Sequence, residues 1–313
     1  MDSETSALPV EPKMPAPNLE IGFIGAGAMG AGMISSLRRN GFGVTFFVRA
    51  TQRGGEIAVR LRSSGATQAP DLATIGRAGV VILCLPDSST VESILGDNAD
   101  LADAMRPGTI VLDCSTSHPE STRRLASTLA VRNVVLLDAA LTGSRAQAEA
   151  GTLSVLGAGP QDAFTRVTPV MRGFASRIFY LGGSGAGHAA KLMNNFLAQL
   201  ALAGLCEIWP LMDKYGIEPS ALFEAISASG GNSAVFQGMF PRFRKRDFTL
   251  NFAQRLACKD VRYVTELARQ FRLPCPMAET LLSVQKDATA RGYGDQDMTS
   301  LLRYYEEVGG RGL

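Results

Sequence analysis

Histidine is nearly absent from this 313-residue chain: His118 and His188 are the whole complement. A histidine-built metal centre therefore has almost nothing to draw on, and no metal is expected. The five cysteines (Cys84, Cys114, Cys206, Cys258 and Cys275) are odd in number and hold no C-x-x-C pair. Several lie inside apolar runs, as small core residues would, and this fits a reducing compartment. Charge of one sign is also missing. A net charge of +2 gives no reason to invoke nucleic acid or an anionic membrane as partner. The basic run of Arg242, Arg244, Lys245 and Arg246 reads as a solvated face. No apolar segment looks long and uninterrupted enough to span a bilayer. The first 18 residues carry four prolines and three acids without a hydrophobic stretch, so they read as a disordered leader and not as a secretory signal. A cytoplasmic location is expected.

What is present is apolar material, 46% of residues, in a chain long enough for two domains. The run Ile21-Gly22-Phe23-Ile24 is followed by Gly25-Ala26-Gly27-Ala28-Met29-Gly30 and then by a helical segment to Arg39. This is the order strand, tight turn, helix N-terminus. Gly25 permits the turn, Gly27 lets a backbone approach a pyrophosphate, and Gly30 lets the helix pack on the strand. The helix N-terminus offers free N–H groups and partial positive charge to the anion.

From Asn18 to about Gly183 strands alternate with helices, the pattern of a parallel sheet covered on both faces. Strands are expected at Ile21–Ile24, Val44–Val48, Val80–Leu85, Ile110–Asp113 and Val134–Asp138, with Ser154–Leu156 and Ile178–Tyr180 completing the sheet. An acid at the end of the second strand would bond the adenosine ribose and repel a 2′-phosphate. Here the strand runs Val48-Arg49-Ala50-Thr51-Gln52-Arg53, with no acid before Glu56. Arg49 is placed to meet a 2′-phosphate, helped by Thr51 or Arg53, which favours NADP over NAD; a solvated loop is the other reading.

Leu85 and Pro86 follow the third of these strands, where ligands lie in open α/β sheets. Ser115 and Thr116 follow the next, and their hydroxyls either meet a ligand in the same crevice or cap the helix that starts near Pro119. His118 reads as a surface loop residue. Thr142-Gly143-Ser144 presents two hydroxyls and closely spaced N–H groups, a nest for a carboxylate. The neighbouring Arg145 adds charge to that nest or points to solvent. After Gly183 the texture becomes helical only, beginning with a long apolar segment from His188 to Tyr215 that Pro210 should kink or end. Lys191, Asn194 and Asn195 share one face of it. The boundaries expected are a leader over 1–18, a dinucleotide-binding α/β domain over 19–183 with a mostly parallel sheet, and an all-α domain over 184–313 for substrate and oligomerisation.

Taken together, the Gly25-to-Gly30 turn with Met29, Cys84-Leu85-Pro86-Asp87, Asp113 to Thr116, Asp138 through Gly151-Thr152-Leu153, Gly185 to Asn195 and Lys259-Asp260 resemble the β-hydroxyacid dehydrogenases, which include 3-hydroxyisobutyrate dehydrogenase. The resemblance spans nearly the whole chain beyond the leader. It implies a Rossmann domain followed by a helical domain with the active site between them, and hydride transfer between NADP (or NAD) and a small β-hydroxy acid or its semialdehyde. It implies Lys191 as the catalytic acid/base, Asn195 as the residue that orients substrate, Ser115 and Thr142-Gly143-Ser144 on the substrate, and Lys259 near both cofactor and substrate. The cofactor would meet Gly25, Ala26, Gly27, Ala28, Met29, Gly30, Arg49, Leu85, Pro86, Thr116 and Lys259. A homodimer or homotetramer is expected. Two positions depart from the family's pattern: Val48 stands where asparagine or aspartate is usual, and Ser144 replaces a second glycine. An imine reductase or a non-catalytic dinucleotide-binding module shares the architecture, and a lysine at position 191 argues against both.

Overall fold

β1 (Glu20–Ile24) runs through the glycine turn into α1 (Ala28–Arg39), and β2 (Gly43–Phe47) returns beside it. The computed structural model describes residues 19–96 and 99–309; the expected leader 1–18 lies outside the described residues. The chain continues with α2 (Glu56–Ser63), β3 (Thr67–Gln68), α3 (Leu72–Gly76), β4 (Val80–Leu83), α4 (Ser88–Leu95) and α5 (Ala99–Ala104). Then come β5 (Ile110–Asp113), α6 (Pro119–Ala130), β6 (Val135–Thr142), α7 (Arg145–Ala150), β7 (Leu153–Ala158), α8 (Gln161–Arg172) and β8 (Ala175–Tyr180). The strands form one sheet in the order β3-β2-β1-β4-β5-β6-β7-β8. The order reverses between β1 and β4, and an open sheet leaves its ligand crevice at the carboxyl ends beside such a reversal.

Alternate residues of each central strand enter different cores. Val80 and Ile82 of β4, with Ile110 and Leu112 of β5, pack in the core that holds Met33, Ile34 and Leu37 of α1. Val81, Leu83 and Val111 pack on the other face with Ile75, Val91, Leu95 and Leu125. Burial on both faces is why these strands read as unbroken apolar runs. The expected strands are all found, with shifted ends. β4 stops at Leu83, while β6 begins one residue later than expected and extends to Thr142. β3 was not expected, and it is a two-residue strand of polar character at the sheet edge. β7 is antiparallel to β6, whereas β1, β2, β4, β5 and β6 pair in parallel. The link from Thr142 to Leu153 holds only the six-residue α7, too short for a parallel crossover.

The chain divides into two compact units, the first ending at Lys191 and the second starting at Leu192. That boundary falls inside α9 (Ala186–Lys214), a single helix of 29 residues that runs through Pro210 without ending there. A proline inside a helix costs about 3 kcal/mol. Its neighbours Trp209 and Met212 are buried on either side of it, and Trp209 packs against Phe240 and Phe243 with ring centroids 5.0 and 5.5 Å apart. By length and composition alone α9 is long and apolar enough to cross a membrane, which corrects the expectation that no segment is. Its Leu202, Leu205, Cys206, Trp209 and Met212 instead build the core of the second unit.

That unit continues with α10 (Pro219–Ser227), α11 (Ala234–Arg244), α12 (Gln254–Gln270), α13 (Pro276–Ala288) and α14 (Leu301–Val308). Asp297, 1% exposed, sets the entry to α12. One of its oxygens accepts the N–H groups of Asn251 (2.8 Å) and Phe252 (3.0 Å), and the other accepts the Thr299 hydroxyl (2.6 Å) and N–H (3.1 Å). Arg242 completes the set at 3.4 Å. Asp297→Ala leaves these donors unanswered and should cost about 3 kcal/mol of stability. A urea titration checks this, and a loss below about 1 kcal/mol would contradict it.

Candidate active site

The glycine turn is shaped by what its three glycines face. Gly25 has φ +101°, and a Cβ there would stand 2.2 Å from the Cys84 carbonyl oxygen. A Cβ on Gly30 would stand 2.1 Å from the Gly25 carbonyl oxygen. Gly27 is the opposite case: nothing lies within 4 Å of its Cβ position, and as N-cap of α1 it provides no side-chain cap. Uncapped N–H groups with an open approach fit a pyrophosphate. Ala28 is exposed at this end, while Ala26 is nearly buried and Met29 leans on the core. Past β2, Val48 is buried and Arg49 is exposed. Arg53 donates to the Pro70 carbonyl, so its guanidinium is engaged locally.

The exits of β4 and β5 are joined by Ser115. This buried hydroxyl accepts the Leu85 N–H at 3.0 Å, and the Ser115 N–H donates to Asp113 Oδ1 at 2.9 Å. The question of capping is answered by His118, which is the N-cap of α6 and accepts the Glu120 N–H through Nδ1 at 3.3 Å. Neither Ser115 nor Thr116 caps that helix. Thr116 is half-buried and Pro86 exposed. His118 is thus a capping residue and not an ordinary loop histidine.

Thr142 closes β6, half-buried, and the exposed Gly143 follows with φ +133°. Ser144 is the N-cap of α7 in a capping box: its Oγ accepts the Gln147 N–H at 3.2 Å, and its own N–H donates to Gln147 Oε1 at 2.9 Å. These two groups of the expected nest are therefore already in use. Arg145 is exposed at the first position of α7.

Lys191 is half-buried in the second turn of α9. Asn195 belongs to the second unit, where its Nδ2 donates to Asp260 Oδ2 at 2.6 Å. Lys259 pairs with the other Asp260 oxygen at 3.0 Å and lies 5.0 Å from the Tyr263 ring centroid. The buried Asp260 carboxylate thus holds two expected site residues together, a role that sequence reasoning did not assign to it. Asn194 is exposed and donates to Asn195 Oδ1 at 3.2 Å. In the first unit the structure gathers the glycine turn, Leu85 and Ser115. Sequence reasoning assigns no role of their own to Asp113, Asp138 and His188, all buried at the sheet's carboxyl side.

Residues 20–182 match the family profile described as the NAD-binding domain of 6-phosphogluconate dehydrogenase. Residues 185–305 match the one described as NAD-binding of NADP-dependent 3-hydroxyisobutyrate dehydrogenase. A 3-hydroxyisobutyrate dehydrogenase of Pseudomonas aeruginosa is 34% identical over 91% of this chain and 98% of its own. An L-threonate dehydrogenase of Cupriavidus necator is 30% identical over 92% of this chain and 96% of its own. The crystal structure of a 3-hydroxyisobutyrate dehydrogenase from Salmonella typhimurium superposes with a TM-score of 0.82 at 26% identity, covering 91% of this chain and 99% of that one. The chain belongs to the β-hydroxyacid dehydrogenase family. It is an NAD(P)-dependent oxidoreductase of hydroxy acids, built as a Rossmann domain and a helical domain.

Three of the thiols are weak acids in this fold. Burial pushes the Cys84 thiol up to about 12, with the Asp113 carboxylate adding to the effect, and burial also raises Cys114 and Cys206 well above the ordinary range. A raised thiol loses its proton only at higher pH, so at pH 8 the Cys84 thiolate should amount to roughly one part in 10⁴. Alkylation of the folded protein with iodoacetamide at pH 8, read by peptide mass spectrometry, should leave these three unmodified. Labelling of Cys84 at the rate of a free thiol would contradict the burial argument.

Proposed function

We propose that this enzyme transfers hydride between NADP(H), preferred over NAD(H), and a small β-hydroxy acid or its semialdehyde, with Lys191 as acid/base. The observation that carries this reading is that Lys191 is the one lysine among the described residues of the first unit, half-buried on an apolar helix. The other long cationic side chains of that unit are arginines, whose guanidinium stays charged and cannot trade protons near neutrality. A bound nicotinamide supplies the hydride donor or acceptor. Lys191 takes the hydroxyl proton in oxidation and returns it to the alkoxide in reduction, and as an ammonium it stabilises that alkoxide. Asn195, one turn along the same helix, orients the substrate by hydrogen bonds without competing for the proton. Lys259 contributes positive charge toward substrate and cofactor. Thr142 and Gly143 meet the acid group, and Ser115 completes the substrate contacts beside Leu85.

For the cofactor, the exposed Arg49 just past β2, with no acid before Glu56, supports recognition of a 2′-phosphate. A dimer of this chain is supported by the exposed side of α9. Met193, Leu197, Ile208 and Leu211, with Tyr215 just beyond the helix, are exposed and recur at helical spacing along one stripe. The absence of a charged or basic surface bias in the composition fits a cytoplasmic enzyme of small molecules.

Lys191→Ala should lower kcat by about 10²- to 10⁴-fold while the NADPH dissociation constant stays within about threefold. Lys191→Arg should be as slow, because charge alone does not restore proton transfer. Turnover above about a tenth of the parent in the alanine variant would refute the assignment. A panel of short hydroxy acids and semialdehydes, followed by NADPH absorbance, identifies the substrate used. Separately, Arg49→Asp should cut the ratio of kcat/KM for NADP against NAD by about tenfold or more. A ratio unchanged within about twofold would remove Arg49 from cofactor recognition.

A further inference from the structure

We propose that His188, held between Asp113 and Asp138, is a buried strut that fixes the turn of α9 carrying Lys191, so that His188 and Asp138 are positioning residues for the acid/base. This rests on the Lys191 reading above. All the groups involved belong to the first unit.

Asp113, the last residue of β5, and Asp138 of β6 are register partners in adjacent parallel strands, with 1% and 0% exposure. A carboxylate so buried is tolerated only with several donors. Asp113 is supplied by the Ser115 N–H and by the Ser117 hydroxyl at 2.7 Å. Asp138 is answered from the start of α9: one oxygen accepts the Gly185 N–H and the other the His188 N–H, both at 3.1 Å. A strand carboxylate thereby caps the N-terminus of the helix. Gly187 makes the approach possible, since a Cβ there would lie 2.8 Å from Asp138 Cβ and 2.6 Å from the Leu156 carbonyl oxygen.

The imidazole of His188, itself 0% exposed, then fills the space between the two strands and α6. Nε2 lies 3.3 Å from the Asp113 carbonyl oxygen, which can only accept, so the proton of that bond belongs to Nε2. Nδ1 lies 2.8 Å from the Thr122 hydroxyl, within hydrogen-bond distance. Each ring nitrogen is also 3.6 Å from a carboxylate oxygen, Nε2 from Asp113 and Nδ1 from Asp138. Both nitrogens are committed, which a histidine kept only for its bulk does not require. Lys191 follows the tethered His188 by three residues, so the two share one helix face. Loosening the tether frees the turn to shift, and a displacement of about 1 Å at a reacting group costs on the order of 10²-fold in rate.

The test compares His188→Leu, which keeps the bulk and loses both hydrogen bonds, with His188→Gln, which keeps one donor and one acceptor. Expected are a fall in kcat of about 30- to 100-fold for the leucine variant, an NADPH dissociation constant within about threefold of the parent, and recovery to within about fivefold in the glutamine variant. Thr122→Val, which removes the hydroxyl on Nδ1, should lower kcat about tenfold and decides the matter if the leucine variant does not fold. Adding His188→Leu to Lys191→Ala should slow the enzyme no further, because the histidine acts through the lysine. The strut is overturned if kcat in the leucine and valine variants stays within about twofold of the parent, if cofactor affinity falls as much as kcat, if glutamine is no better than leucine, or if the double variant is slower than Lys191→Ala alone. If Lys191→Ala itself keeps its turnover, the acid/base reading fails. If Lys191→Ala is inactive and His188→Leu is not slowed, only the strut fails.

Discussion

A carboxylate without water must be answered by donors, and in this protein that demand organises the carboxyl side of the sheet. Asp113 ends β5 and Asp138 interrupts the apolar run of β6 beside it, where the sheet leaves no solvent to hydrate them. The chain meets the demand locally at Asp113, through the residues two and four further on. At Asp138 it does so at long range, by bringing the first turn of α9 onto the strand. The same bonds that remove an electrostatic cost therefore decide where the long helix begins.

The helical unit solves the same problem twice. Asp260, facing the core from α12, is neutralised by Lys259 and bonded by Asn195. Asp297 gathers the backbone ahead of α12 together with the start of the last helical stretch. In each case one buried acid fastens segments far apart in sequence. Such acids hold geometry more than they add net stability, because desolvation offsets most of the attraction.

Much of the fold is legible in the sequence because its physical signals are local. The strands read as continuous apolar runs since both faces of the sheet are covered, and the glycine turn reads from spacing alone. β3 is not legible, for Thr67 and Gln68 carry no hydrophobic period, and the direction of β7 depends on the length of its link more than on its residues. For the site, the residues with exposed or half-exposed chemistry were named from the sequence, Lys191 and Asn195 among them. The buried Asp113, Asp138 and His188 are not legible in this way, although the buried Ser115 is. An aspartate after an apolar run, as in Val-Leu-Asp113, looks like the start of a loop until the partner strand buries it, and Asp138 within β6 looks like the end of a strand that in fact continues to Thr142. Ser144 shows the converse, since its pattern with Gln147 is a helix-start signal that was overshadowed by the glycine before it.

α7, capped by Ser144, lies against α1 so tightly that a Cβ on Gly32 would stand 2.8 Å from the Glu149 nitrogen and 3.0 Å from the Ala148 carbonyl carbon. Backbone meets backbone there, and neither helix can slide without opening a gap in the core. The short link from Thr142 to Leu153 is thus a rigid mount whose outward side chains, Ser144 and Arg145, contribute little to its anchoring in that core. For an engineer, this separates two tasks that loops usually entangle. The exposed side chain of Arg145 can be changed, while the scaffold that presents it keeps its register with α1.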